Sequence, residues 1–166
     1  MRTGIYGIAA TRPVTMPGGA LHLGVEGFHL ALAFRKPLHA VQKAVLHADT
    51  DSIFGAHGVW MNASGRDWHD LQSMSQLKSA VASAAGFAET EGPLQGVHGD
   101  CNAKTLQLHG DVARQHPLYW TTCAWGILFA YSVEELVALM RDHDVPVAPD
   151  EEGACLLYTS DAADDP

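Results

Sequence analysis

The sequence predicts an α+β fold in which helices pack against an antiparallel sheet. Apolar runs at residues 44–48 and 53–61 flank a short polar segment, which is the pattern of a β-hairpin. Apolar residues at helical spacing predict a helix over 67–85, with an inward face of Leu71, Met74, Leu77 and Val81. Ser132 and Glu135 form an S-x-x-E capping box, which predicts the start of another helix.

The remaining segments complete the predicted order of elements. Residues 4–19 are punctuated by Gly and Pro, which predicts mostly irregular chain. Residues 25–44 predict a helix that Pro37 interrupts. Gly86 is the expected C-cap of the 67–85 helix. Strands are expected at three further places: 86–92, 103–111 and, as one buried strand or a strand pair, 121–132.

Composition limits the class of protein. The 166 residues carry a net charge of −9, which argues against a simple electrostatic binder of nucleic acid. No apolar run is long enough for a membrane span, and the first residues do not form a secretory signal. Cys101 and Cys123 form no C-x-x-C pair, so a reducing cytoplasm is the expected compartment. We interpret residues 155–166 as read-through of a sequencing adapter and exclude them from the fold.

The segment "LHADTDSIF" at 46–54 places two carboxylates, Asp49 and Asp51, inside an apolar run. Burying an unpaired carboxylate is costly, so such a group is normally solvated, paired or bound to a metal. Two interpretations follow: a solvated turn between two strands, or a site for a hard cation. Mg²⁺ prefers oxygen ligands, and two such ions can clamp the attacking and leaving oxygens of nucleotidyl transfer.

The stretch "HADTDSIF" resembles the Y-x-D-T-D-S motif of family B DNA polymerases, of the phage-like or protein-primed type. Three other stretches come in the same order as in that family. "TGIYGIAATRP" at 3–13 is similar to its N-S-x-Y-G segment and matches at Tyr6 and Gly7. "AFR" at 33–35 stands in the intervening helix, and Lys104 matches the lysine of a K-x-Y element.

The resemblance implies a palm-type antiparallel sheet and a DNA-directed DNA polymerase that uses Mg²⁺ or Mn²⁺. Asp49 and Asp51 would then be the catalytic and metal-binding residues, with Asp51 bridging the two ions. Tyr6 and Gly7 would lie at the incoming nucleotide, and Lys104 would contact the primer. The partners would be primer–template DNA and a dNTP, with a terminal protein in the protein-primed type, in the cytoplasm of the phage host.

The resemblance also has departures. His47 replaces the usual tyrosine, Gly55 replaces an apolar strand residue, and Leu106 replaces the tyrosine of K-x-Y. The upstream D-x-x-S-L-Y-P motif, which carries the other metal-binding aspartate, is absent from the sequence. We therefore expect a palm fragment at 1–110 and the start of a thumb at 111–154, inactive without its parent enzyme.

Two alternatives stay open. The chain could be a small acidic binding or structural domain whose DTDS turn is solvated or holds a cation, although the spacing does not fit an EF-hand. A metallohydrolase that uses His47, Asp49, Asp51 and His57 is a third interpretation, which no H-x-H or H-E-x-x-H spacing supports.

Overall fold

The chain folds as two antiparallel sheets with few helices, which confirms the α+β prediction. The computed structural model describes residues 4–16, 18–35, 43–58, 71–88, 94–110 and 117–148. Within these ranges the strands are β1 Gly4–Ala10, β2 Leu21–Val25, β3 Phe28–Arg35, β4 Lys43–Ala48, β5 Ser52–Gly58, β6 Leu94–Asp100, β7 Thr105–His109, β8 Tyr119–Cys123 and β9 Gly126–Ala130. The helices are α1 Leu71–Val81, α2 Ala84–Ala88 and α3 Val133–Asp142.

The strands divide into a five-stranded sheet, in the order β2-β3-β1-β9-β8, and a four-stranded sheet, in the order β4-β5-β6-β7. The four-stranded sheet is a meander in which each strand pairs with the next along the chain. In the five-stranded sheet β1 is central, because it pairs with β3 on one side and β9 on the other. The early and late parts of the chain therefore build one sheet together.

The two sheets pack face to face over an apolar core. Strand β1 contributes Ile5 and Ala9 to it, and the cluster also holds Leu30, Leu32, Ile53, Val97, Cys101, Phe129 and Tyr131. Two glycines of the four-stranded sheet bring the layers close. A Cβ on Gly55 would come within 3.2 Å of Ile5 Cδ1, and a Cβ on Gly99 would overlap Leu30.

Helices cover the outer faces of both sheets. Helix α3 packs through Leu136 and Leu139 on the face of the five-stranded sheet that carries Tyr6 and Ile8. Helices α1 and α2 cover the four-stranded sheet, where Leu77, Val81 and Phe87 join Phe54, Ala56 and Leu94. The order of layers is helix, sheet, sheet, helix.

Two predictions for the first 44 residues are wrong in whole or in part. Residues 4–19 are irregular at 11–16 and 18–19, as predicted, but β1 occupies 4–10 and is buried throughout. The helix predicted over 25–44 is instead the end of β2 and the whole of β3, with 36–42 outside the described residues. The cause is the same for both strands: each is apolar on both faces, so its sequence lacks the alternation of a half-buried strand.

Most of the later predictions are confirmed. The hairpin around the DTDS segment is β4 and β5, and β7 lies within 103–111. The strand pair predicted at 121–132 is β8 and β9, although β8 begins two residues earlier, at Tyr119. Ser132 is the N-cap of α3, and its hydroxyl accepts a hydrogen bond from Glu135 N at 3.3 Å. Gly86 is not a C-cap and residues 86–88 are not a strand, because α2 includes both.

Some predicted features fall only partly on the described residues. Leu77 and Val81 are buried on the inner face of α1 as expected, but α1 ends at Val81, before the predicted end at residue 85. Residues 67–70 and the side chains of Leu71 and Met74 lie outside the described part. Residues 119–130, expected at the start of a thumb, lie in the same sheet as β1. No helix within the described ranges is long and apolar enough to cross a membrane.

Replacing Gly7 by Ala should destabilise the fold by about 2 kcal/mol, because the added methyl overpacks the core. A Cβ there would lie 2.6 Å from the carbonyl oxygen of Ala31 and 2.7 Å from Phe129 Cζ. Urea unfolding of Gly7→Ala measures the effect. Gly110→Ala is the matched control, because a Cβ on Gly110 meets no atom within 4 Å. Equal stability of the two variants would contradict this packing role.

Candidate functional site

The two sequence-predicted aspartates lie in the tight turn between β4 and β5. Asp49 N donates a hydrogen bond to Ser52 O at 2.8 Å, which closes the hairpin. Cys101 N donates to Asp51 O at 2.8 Å, which ties this turn to the turn between β6 and β7. Both aspartates are exposed. The segment therefore forms a turn at the surface and does not bury its carboxylates within a strand.

The carboxylate of Asp49 has a cationic partner from helix α1. Lys78 Nζ donates a hydrogen bond to Asp49 Oδ2 and forms an ion pair with it. Ser52 Oγ donates to the same oxygen at 3.4 Å, and His47 Nδ1 lies 3.4 Å from the other oxygen, Oδ1. The Lys78 contact is the main reason that the pKa of Asp49 is lowered from its ordinary value of 3.8. Asp49 is therefore ionised and already paired at neutral pH.

A buried histidine lies on the same face of the four-stranded sheet as this ion pair. His98 pairs with Phe54 across β5 and β6, and burial lowers its pKa. Its ring is therefore neutral at pH 7 and adds no positive charge near Lys78. Within the described residues, His98 Nδ1 has no hydrogen-bond partner.

The structure brings Lys104 to the same end of the four-stranded sheet as the two aspartates. Strand β5 begins beside the end of β6, so the turn after β6 lies next to the DTDS turn. Lys104 Nζ donates a hydrogen bond at 3.0 Å to the carbonyl of Glu26, in the turn between β2 and β3. This ammonium joins a turn of one sheet to a turn of the other. We call this end of the sandwich the turn end.

Tyr6 and Gly7 do not lie at the turn end. Both are buried in β1, in the middle of the five-stranded sheet. Tyr6 belongs to the cluster under α3, and Gly7 faces the inter-sheet core. The predicted nucleotide-binding pair and the predicted metal-binding pair are thus on different sheets, and the structure gathers only Asp49, Asp51 and Lys104.

The histidine of the metallohydrolase interpretation is also separated from the turn. His57 lies six residues beyond Asp51 along β5, a distance of roughly 20 Å in an extended strand. It is buried between the sheets, whereas His47 lies beside Asp49. Within the described residues, no group of three or more His, Cys, Asp or Glu side chains is placed to hold a metal ion.

A buried polar cluster that the sequence analysis missed lies between the sheets at the opposite end, near Gly4. His57 Nδ1 and Gln95 Oε1 are 3.0 Å apart, and both side chains are 1% exposed. Tyr131 Oη lies within hydrogen-bond distance of the carbonyls of Gly96, at 3.1 Å, and His109, at 2.7 Å. Burial raises the pKa of Tyr131, so its phenol stays protonated and donates.

The main chain of β1 fits closely against this cluster. Gly4 has a φ of 109°, which a residue with a side chain rarely adopts. A Cβ there would lie 3.0 Å from Gln95 Oε1 and 3.2 Å from Tyr131 Cβ. The sequence signal for the cluster was Gln95, a polar residue at an inward position of β6, but its partner His57 comes from β5, and Tyr131 comes from the residue after β9.

Comparison with known proteins adds no assignment: the chain matches no protein-family model, no curated protein and no solved structure.

Replacing Lys78 by Met should lower stability at pH 7 by about 0.5 kcal/mol, because Lys78 and Asp49 are 36% and 39% exposed and solvent screens the pair. The pKa of Asp49 is lowered in the folded state, so the ion pair stabilises the protein above the ordinary value of 3.8. This contribution is lost as the pH falls through the folded-state pKa. The difference between parent and variant in urea should therefore shrink from pH 5 toward pH 3.

Lys104→Met is the control for that experiment, because its ammonium contacts a backbone carbonyl that does not titrate. Its effect on stability should not vary with Asp49 ionisation. A Lys78→Met effect that stays constant down to pH 3 would contradict the ion pair.

Proposed function

We propose that the chain is a non-enzymatic binding or structural domain in which the DTDS segment serves as a structural turn. The observation that carries the proposal is the contact between the Lys78 ammonium and the Asp49 carboxylate. A backbone hydrogen bond from Asp49 to Ser52 closes the turn, and one from Cys101 to Asp51 joins it to the neighbouring turn. The Lys78 contact ties α1 to the hairpin, and the Cys101 contact ties the turn after β6 to it.

The same contacts disfavour a two-metal centre at this turn. A cation bound by Asp49 would have to displace the lysine ammonium or accept its repulsion at short range. Mg²⁺ gives up its water reluctantly and is normally bound by one or two carboxylates together with substrate phosphates. Asp51 alone, exposed to solvent, would offer such an ion a single carboxylate.

Calorimetric titration of the full chain with MgCl₂ and MnCl₂ tests the proposal. We expect no saturable binding of either ion at the DTDS turn, and identical traces for the parent and Asp51→Asn. Asp142→Asn is the matched control, since Asp142 is an exposed aspartate in α3, away from the turn. Saturable Mn²⁺ binding that Asp51→Asn removes and Asp142→Asn retains would overturn the proposal.

The second candidate function is the fragment of a family B DNA polymerase, and a palm-type description of the sheets belongs to it. One observation favours it: Asp49, Asp51 and Lys104 lie in adjacent turns at one end of the four-stranded sheet. In the complete enzyme, Asp51 would bridge Mg²⁺ or Mn²⁺ ions and Lys104 would contact the primer. Tyr6 and Gly7 have no comparable support, because both are buried in the other sheet.

Re-sequencing the source DNA across both ends of this reading frame tests the second candidate. A polymerase parent requires an in-frame D-x-x-S-L-Y-P segment upstream and a continuation that replaces residues 155–166. An upstream sequence without that segment would remove the candidate, because the ions would lack their other aspartate. The titration above and this test are independent of each other.

A further inference from the structure

A groove on the outer face of the five-stranded sheet carries two histidines that no site described above uses. It has a volume of about 420 Å³ and lies between the segment that follows β1, which contributes Thr15, and the β2–β3 hairpin, which contributes His22, Gly24 and His29. None of the described residues that line it is acidic.

The register of the hairpin places the two imidazoles on one face. His22 pairs with Ala31, and Gly24 pairs with His29. In an antiparallel pair, residues two apart on a strand share a face, so His22 and His29 are diagonal neighbours across the hairpin. That face is the one on which Ala31 joins the cluster under α3.

The His29 ring occupies the space beside Gly24, where glycine has no side chain. A Cβ on Gly24 would overlap the imidazole of His29, with Nδ1 as its nearest atom and Cε1 at 3.1 Å. The His29 ring therefore lies over β2, in the space that a side chain at position 24 would fill. His22 lies on the same strand and the same face as position 24, and the Cα atoms of His22 and Gly24 are roughly 6.6 Å apart.

We propose that His22 and His29 form a binding site for one divalent metal ion of the kind that prefers imidazole, such as Ni²⁺, Cu²⁺ or Zn²⁺. Imidazole nitrogen is a good ligand for these ions and a poor one for Mg²⁺ or Ca²⁺. Two protein ligands leave the other coordination positions to water, and Thr15 lines the same groove. Without Asp161, Asp164 and Asp165 of the excluded segment the net charge of −9 becomes −6, which favours a cation at the surface.

The site is distinct from the DTDS turn in its ligands and in its choice of ion. It has nitrogen ligands and selects against Mg²⁺, whereas a carboxylate turn would prefer Mg²⁺ or Mn²⁺. Failure of this site would leave the proposed role of the turn unaffected.

The experiment is titration of the untagged full chain with NiCl₂ at pH 7.5, followed by calorimetry and by paramagnetic broadening of the histidine ring signals. The parent should bind one ion and lose the ring signals of His22 and His29 first. His22→Ala should weaken binding at least tenfold, and because His22 is exposed this variant should keep the parent fold. His47→Ala, which removes an exposed histidine at the turn end, should retain the parent affinity.

Gly24→Ala tests whether binding depends on the position of the His29 ring as well as on the presence of two histidines. It keeps both imidazoles but displaces the His29 ring. It should also weaken Ni²⁺ binding at least tenfold, whereas Gly110→Ala should bind as the parent does. Absence of saturable Ni²⁺ binding by the parent would overturn the proposal. So would unchanged affinity in His22→Ala, or broadening that begins at other histidines.

Discussion

The packing of both sheets on strand β1 is the constraint on which the rest of the structure depends. Its backbone pairs with β3 and β9, and its side chains alternate between two cores. Ile5 and Ala9 face the four-stranded sheet, while Tyr6 and Ile8 lie under α3. The layers approach closely because glycine stands where a side chain would collide with the opposite sheet, at Gly55 and Gly99 of the four-stranded sheet. A close-packed interior of this kind tolerates little added volume.

This arrangement explains which parts of the fold the sequence predicts and which it does not. The β4–β5 hairpin and the α3 cap are specified by local signals, a polar turn between apolar runs and an S-x-x-E box. Strands β1 and β3 are buried on both faces, so their apolar runs carry no period of two, and the sequence predicts irregular chain and helix in their place. The turn itself was predictable, but the partner of Asp49 was not, because Lys78 lies 29 residues away and reaches it only after α1 packs on the sheet. The His57, Gln95 and Tyr131 cluster likewise depends on the meeting of two sheets.

The described polar groups lie in three separate places in the structure, and this arrangement supports the functional proposals. At the turn end, charged side chains are engaged in holding turns together: Lys78 with Asp49, and Lys104 with Glu26 O. At the Gly4 end, buried polar groups brace the inside of the sandwich. The His22 and His29 groove lies on an outer face and is lined without carboxylates. A metal ion that prefers nitrogen ligands, bound at this groove, is therefore a better match to this molecule than a hard cation at the DTDS turn.

Native-state hydrogen exchange, followed residue by residue, tests most directly the claim that both sheets share one core built on β1. Central amides of β1, β3 and β9 and those of β5 and β6 should exchange only through global unfolding, with one common free energy. Amides of the outer strands β2 and β8 should exchange through smaller openings. If β1 exchanged as fast as β2, or if the two sheets opened with clearly different free energies, the two sheets would not form one cooperative core, and the account of the fold would be contradicted.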